Sequence, residues 1–315
     1  MLIHKEDIIL ITGGSGFLGK SVCENLKNKY YKNIVALPGS DFWDLTNREQ
    51  VKKVMDEFRP RVVLHLAARV GGIGANKENP GKFIYENMAM GINLIEECRQ
   101  RDIKKFVMIG TVCSYPKHTP VPFKESYIWN GYPEETNAPY GIAKKSLMQM
   151  VISYKDQYGM NGINLIPVNM YGPHDNFNPK SSHVIPALIL KFQEAMKSNP
   201  HEPVEVWGTG NASREFLYVD DCAEAIVKAM EIHNDPEPMN IGTGKEISIG
   251  DLARLIANKM GYNGGIYFNS ERPDGQPRRC LDVQQSKSAL GFEASVDFEE
   301  GIKKTIKWFR ENCNE

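Results

Sequence analysis

Short, unbroken apolar runs alternate along the first half of the chain with longer stretches whose apolar positions recur every three to four residues. The runs "DIILIT" (7–12), "NIVAL" (33–37), "RVVLHLA" (61–67), "KFVMIG" (105–110) and "GINLIPV" (162–168) each read as a strand. The stretches at about 18–29, 80–100 and 140–158 read as helices. Strands that are apolar throughout are buried on both faces. Strand–helix alternation of this kind builds an α/β fold, a doubly wound parallel sheet covered by helices.

After about residue 170 the texture changes. Loops lengthen, and the apolar runs shrink to "EVWG", "EFLYV", "MNIG" and "GIYF". Helical periodicity persists near 184–198, 220–232, 248–260 and 298–312. The expected organisation is a cofactor-binding domain over 1–170 and a smaller, discontinuous substrate lobe over 171–315. The last regular core strand is expected before that boundary, with parts of about 215–245 returning to the first domain.

Composition narrows the function. Of 315 residues, 41% are hydrophobic and 24% charged, and the net charge is −1. A near-neutral chain is a poor partner for nucleic acid. The opening "MLIHKEDIILITGG" is too short in apolar residues for an export signal. No run approaches the roughly 18 apolar residues of a membrane span, so a cytoplasmic protein without a membrane partner is expected. The six cysteines, Cys23, Cys98, Cys113, Cys222, Cys280 and Cys313, are scattered, with no pairing typical of a metal site. Reduced thiols and no metal are expected.

Candidate chemistry begins directly after the first strand. "ITGGSGFLGKS" (11–21) spaces Gly13, Gly16 and Gly19 as G-x-x-G-x-x-G. Glycines permit a tight turn and a close approach to a pyrophosphate, and the N–H groups of the following helix can bind the anion. A dinucleotide site is therefore expected. The second strand ends "ALPGSDFWDLT", with no Arg or Lys directly after it, and this leaves NAD and NADP both open. Farther on, "NAPYGIAKKS" (137–146) places Tyr140 and Lys144 four apart, on one helix face. An ammonium beside a phenol lowers the phenol's pKa toward a useful range. Thr111 follows the fourth strand, at the sheet edge where ligands bind in such folds.

The glycine cradle, "HLAA" (65–68), Thr111 and the Tyr140/Lys144 pair resemble the extended short-chain dehydrogenase/reductase family over essentially the whole chain. That resemblance implies a Rossmann-type domain. It makes Tyr140 the proton donor and Lys144 the residue that tunes it and binds cofactor. It also implies cofactor contacts from Gly13, Gly14, Ser15, Gly16, Phe17, Leu18, Gly19, Asp44, Ala67, Ala68, Ile109, Gly110, Pro167, Asn169, Met170 and His183. Asp44 is expected to meet the adenine edge through its loop.

Four further stretches, 69–88, "TVCSYPK" (111–117), 169–189 and "VWGTGNASREFLYVDD" (206–221), are similar to the GDP-L-fucose synthases within that family. The resemblance implies C3/C5 epimerisation of GDP-4-keto-6-deoxy-D-mannose, then C4 reduction with NADPH. It makes Cys113 the base and His183 the acid, with a cationic imidazole near the thiolate. It places substrate contacts at Asn169, Lys191, Trp207, Arg214 and Asp274. It also implies a homodimer through a four-helix bundle of the 80–100 and 140–158 helices. Lys191 stands where relatives often carry arginine, and Thr111–Val112 where some carry two serines. "PGSD" (38–41) lacks the arginines some use for the 2′-phosphate, so NADP(H) rests on the resemblance. A 4,6-dehydratase would carry an acidic pair where Val112 and Cys113 stand. A C4 reductase of another GDP-4-keto sugar, in a heptose or colitose route, remains the alternative. A binding module without catalysis is disfavoured by the intact Tyr/Lys pair.

Overall fold

The computed structural model describes residues 2–71, 73–179, 181–272 and 274–313. The first half comprises β1 (Ile9–Thr12), α1 (Phe17–Asn28), β2 (Ile34–Ala36), α2 (Arg48–Phe58), β3 (Val62–His65), α3 (Ile73–Glu78), α4 (Pro80–Gln100), β4 (Lys105–Ile109), α5 (Ala138–Tyr158) and β5 (Gly162–Pro167). The second comprises β6 (Asn169–Tyr171), α6 (Val184–Ser198), β7 (Val204–Trp207), β8 (Ser213–Tyr218), α7 (Val219–Ile232), β9 (Pro238–Ile241), β10 (Glu246–Ser248), α8 (Ile249–Met260), β11 (Ile266–Asn269), β12 (Arg278–Arg279), α9 (Gln284–Leu290) and α10 (Phe298–Asn312).

The main sheet is six-stranded and parallel, in the order β2-β1-β3-β4-β5-β9. Every residue of β1, β3, β4 and β5 is buried, as unbroken apolar runs require. Fully burying one such aliphatic side chain stabilises the fold by roughly 1.5–3 kcal/mol. Helix α1 packs on α7, and α4 packs along α5 with α2 beside it. One expectation needs correction. The last core strand does not precede residue 170, because β9 pairs with β5 through Asn164↔Pro238 to Pro167↔Ile241.

A second hydrophobic cluster lies in the later half. It joins Ile185, Leu188 and Phe192 of α6 to Leu252 and Ile256 of α8 and Ile302, Ile306 and Phe309 of α10. Two small sheets accompany it. In one, β8 pairs with β6, β10 and β12; in the other, β7 pairs with β11. Side-chain caps fix the helix starts here. Ser248 Oγ accepts from Asp251 N–H ahead of α8, and Asp297 Oδ1 accepts from Glu299 and Glu300 N–H ahead of α10. No described helix is long and apolar enough to cross a membrane.

Candidate active site

The strand order reverses at β1, whose neighbours are β2 and β3. Loops leaving β1 and β3 at their carboxyl ends therefore diverge around a crevice, where ligands bind in open α/β sheets. The β1–α1 loop is built to let a ligand close to the backbone. Gly13 has φ +70°, and a Cβ there would lie 2.9 Å from Ala67 N. A Cβ on Gly14 would lie 2.6 Å from Ala36 Cβ, and one on Gly19 would collide with Gly13 O. Ser15 and Gly16 are exposed, and no side chain caps α1. The first-turn N–H groups are thus available to an anion. Leu18 is buried in the core, so only its backbone can serve a ligand. These features fit a dinucleotide diphosphate.

Under the cradle lies an arrangement that sequence reasoning missed. Thr12 Oγ1 accepts from Ala67 N–H at 3.2 Å and sits 2.9 Å from His65 Nδ1. Burial, with a further push from the Lys144 charge, holds His65 well below the usual imidazole range. His65 is therefore a neutral strut that ties β1 to β3. Ala67 and Ala68, which follow it, are half-buried. Asp44 is committed within its own loop, where Oδ1 accepts from Thr46 N–H at 2.9 Å and from the Thr46 hydroxyl at 2.6 Å. Residues 39–41 are exposed and include no cation.

The β4 edge carries the residues expected to be reactive. Beyond Ile109, Gly110 N–H donates to Leu165 O at 2.7 Å, which holds this edge against β5. Thr111 Oγ1 accepts from Cys113 N–H at 3.2 Å and caps the short turn Val112–Ser114. Ser114 Oγ donates to Gly141 O at 2.9 Å, and a Cβ on Gly141 would strike the Cys113 carbonyl oxygen. The turn is thereby pressed against the first turns of α5, which carries Tyr140 and Lys144. Both side chains are buried. Burial raises the Tyr140 phenol, the Cys113 charge adds to this, and a hydrogen bond with Thr111 opposes it. The expected lowering by Lys144 is not found: desolvation outweighs any support from the ammonium. Lys144 is itself pushed down to about 8 by burial. It makes no hydrogen bond or ion pair among the described residues, so its donors are free.

Pro167 is buried at the end of β5, and Asn169 and Met170 are half-buried on β6. Asn169 Nδ2 donates to Glu215 O at 3.0 Å. His183 is the N-cap residue of α6. Its ring is solvent-accessible, yet surrounding protein lowers its pKa. The structure does not bring His183 into hydrogen-bonding contact with Cys113, Tyr140 or Thr111. The cation at the thiol is instead Arg279, whose Nη1 donates to Cys113 Sγ at 3.8 Å. This corrects the expected imidazolium partner: lowering the His183 pKa disfavours its cation, whereas a guanidinium is always charged.

The remaining predicted substrate residues split into two groups. Lys191 and Arg272 lie over Trp207 at 5.6 and 5.1 Å. Lys191 also donates to Glu205 O at 2.8 Å. Arg214 donates to Ser213 O at 2.7 Å and Asp274 O at 3.3 Å. Burial and then Arg279 push its pKa down to about 10, with Asp274 and Cys113 opposing. Asp274 accepts from Thr209 N–H at 2.7 Å and the Thr209 hydroxyl at 2.9 Å. Both of its oxygens thus tie its loop to the loop between β7 and β8. Arg272 and Arg279 were missed, although "RPDGQPRRC" brackets Asp274 with both.

Comparison with known proteins agrees with this fold. The profile of the NAD dependent epimerase/dehydratase family matches residues 9–242. The GDP-L-fucose synthase of Escherichia coli (strain K12) is 39% identical, with 96% of this chain and 97% of that one covered. A GDP-6-OMe-4-keto-L-xylo-heptose reductase from C. jejuni superposes with a TM-score of 0.91 at 30% identity, covering 99% of each chain. A GDP-L-fucose synthetase from Naegleria fowleri bound to NADP superposes at 0.90 with 28% identity, covering 100% of this chain and 97% of that one. The chain belongs to the NAD dependent epimerase/dehydratase family, on the branch that holds the GDP-L-fucose synthases.

Proposed function

We propose that the chain converts GDP-4-keto-6-deoxy-D-mannose to GDP-L-fucose, epimerising C3 and C5 and then reducing C4 with NADPH. The observation that carries this reading is the thiol. Cys113 shares a turn with Thr111 and is close enough for its charge to act on Tyr140. A plain C4 reductase needs one proton donor, and Tyr140 suffices for that. A second acid/base group beside the donor has work only if C–H bonds are also broken.

The C4 ketone acidifies the hydrogens on C3 and C5. Cys113, as thiolate, takes the proton, and the electron pair moves to O4. The hydroxyls of Thr111 and Tyr140 stabilise the enolate there. His183 returns a proton to the opposite face. The raised Tyr140 pKa keeps the phenol protonated through enolisation, so it is still a donor at the reductive step. When bound, NADPH supplies hydride to C4. Tyr140 then gives its proton to O4, and the free ammonium of Lys144, on the same helix face, supports the phenolate left behind.

In this reading Lys144 and the glycine loop hold NADPH. Arg214 holds the substrate diphosphate, and Lys191, Trp207 and Asp274 its nucleoside. Residues after 170 mainly form the sugar-nucleotide lobe. The six free thiols suit a reducing compartment, the cytoplasm. The enzyme is a homodimer through α4 and α5, which leave Tyr85, Ile92 and Tyr158 exposed. A second reading, a C4 reductase of a GDP-4-keto-heptose, is favoured by the C. jejuni superposition and by Val112, which removes a hydroxyl that some relatives carry. NMR of the product from GDP-4-keto-6-deoxy-D-mannose and NADPH decides. GDP-L-fucose supports the first reading. Turnover only of the heptose analogue, without inversion, supports the second.

A further inference from the structure

Arg279 is held more firmly than a surface arginine. Its strand, β12, pairs with β8 so that Arg279 lies opposite Arg214. Both flanks of the strand are pinned. Ser213 N–H donates to Pro277 O at 2.9 Å, Phe123 N–H to Cys280 O at 2.8 Å, and Leu281 N–H to Glu215 Oε2 at 2.6 Å. The side chain is then aimed. Arg279 Nε donates to Gln276 Oε1 at 2.7 Å, and Gln276 Nε2 donates to Lys117 O at 2.9 Å. Lys117 lies just beyond the turn that carries Cys113. The result is Nη1 at 3.8 Å from Cys113 Sγ.

The charges around this contact are unbalanced. Neighbouring Arg278 has its carboxylate, Glu246. Arg279 forms no ion pair among the described residues, and after burial its charge is the next influence that lowers the Arg214 guanidinium. Glu134 is a carboxylate on which its charge acts. Burial would raise Glu134, but hydrogen bonds from Thr136 and Asn137, and then Arg279, hold it below the usual range. Both Glu134 bonds are formed at Oε2 and belong to the start of α5. Asp274 faces Arg214, and Tyr140 faces Cys113. A guanidinium in contact with the sulfur, with a second one near enough to feel its charge, suits a thiolate partner.

We propose that Arg279 is a positioning residue that pairs with the Cys113 thiolate, so that the proton-abstracting group works beside a fixed cation. This rests on the reading of Cys113 as the base. It makes the base independent of the protonation state of His183, which leaves that imidazole free to act as the acid.

The test needs no sugar. Whole enzyme is treated with iodoacetamide at pH 7, and alkylation of Cys113 is followed at the peptide level. Exposed Cys313 is the internal standard, and buried Cys280 reports unfolding. Arg279→Gln should slow Cys113 at least about tenfold relative to Cys313, and Arg279→Lys should recover most of the rate. Gln276→Ala, which releases the guanidinium without removing it, should slow Cys113 about two- to fivefold. Unchanged or faster Cys113 alkylation in Arg279→Gln and Gln276→Ala, with Cys280 still protected, overturns the proposal. If Arg279→Gln exposes Cys280, Gln276→Ala decides alone. Altered alkylation in an enzyme that never turns over GDP-4-keto-6-deoxy-D-mannose would keep the pair and remove the substrate assignment. The converse result would remove only the pair.

Discussion

Burial moves Tyr140 and Lys144 in opposite directions: the phenol is held neutral and the ammonium is made easier to discharge. Tyr140→Phe removes the proposed proton donor and should cut NADPH oxidation by about 10²–10⁴-fold while NADPH still binds. Stopped-flow hydride transfer within tenfold of wild type would refute that role. Lys144 carries a stability cost that follows from its shift. Its folded pKa is about 8 against an ordinary 10.5. The unfolded chain therefore binds the proton more tightly between those values, and stability rises with pH across that window. The full penalty applies below about pH 8. Lys144→Met should be more stable than wild type by about 3 kcal/mol at pH 7, with the gap closing near pH 10.5. Urea unfolding at both pH values checks this. The same shift predicts that kcat/KM for NADPH falls as pH rises through about 8, because the free enzyme loses the ammonium.

At the scale of elements, the site depends on how closely the β4–α5 loop approaches α5. Gly141 permits that approach, since any Cβ would meet the Cys113 carbonyl oxygen. Gly141→Ala should cost about 1–3 kcal/mol through overpacking. It should also lower turnover well over tenfold, because about an ångström of misplacement suffices for that. NADPH affinity should fall less than turnover, because the glycine loop, one of its two proposed anchors beside Lys144, is untouched; a loss of affinity as large as the loss of turnover would count against this. The main strands were legible because β1, β3, β4 and β5 are apolar without interruption. Helix α2 was not, because "REQVKKVMDEF" buries only Val51, Val54 and Met55. Its start was nonetheless written in Asn47, whose Oδ1 accepts from Glu49 and Gln50 N–H. Strand β9 was recognised as a short apolar run, but its place beside β5 depends on pairing across some seventy residues, which periodicity does not encode.

Across the whole molecule, the legible part of the site was the part carried by local spacing: the glycines, Tyr140 with Lys144, and Thr111 with Cys113. What stayed hidden was assembled over distance. Arg279 reaches Cys113 across 166 residues, and His65 meets Thr12 across 53. The proposed homodimer would form through α4 and α5, where Tyr85, Ile92 and Tyr158 are 66%, 41% and 47% exposed. Ile92→Glu should convert a dimer to a folded monomer by light scattering; a wild-type monomer would remove that interface. The central claim is that this site breaks C–H bonds before it reduces the ketone. The direct measurement is solvent-deuterium incorporation into GDP-4-keto-6-deoxy-D-mannose in D₂O, without NADPH, by wild type and Cys113→Ser. The account predicts deuterium at both C3 and C5 with the wild type, and loss of about 10²-fold or more in the variant. NADPH-dependent reduction of the same sugar with no deuterium at either carbon would contradict it.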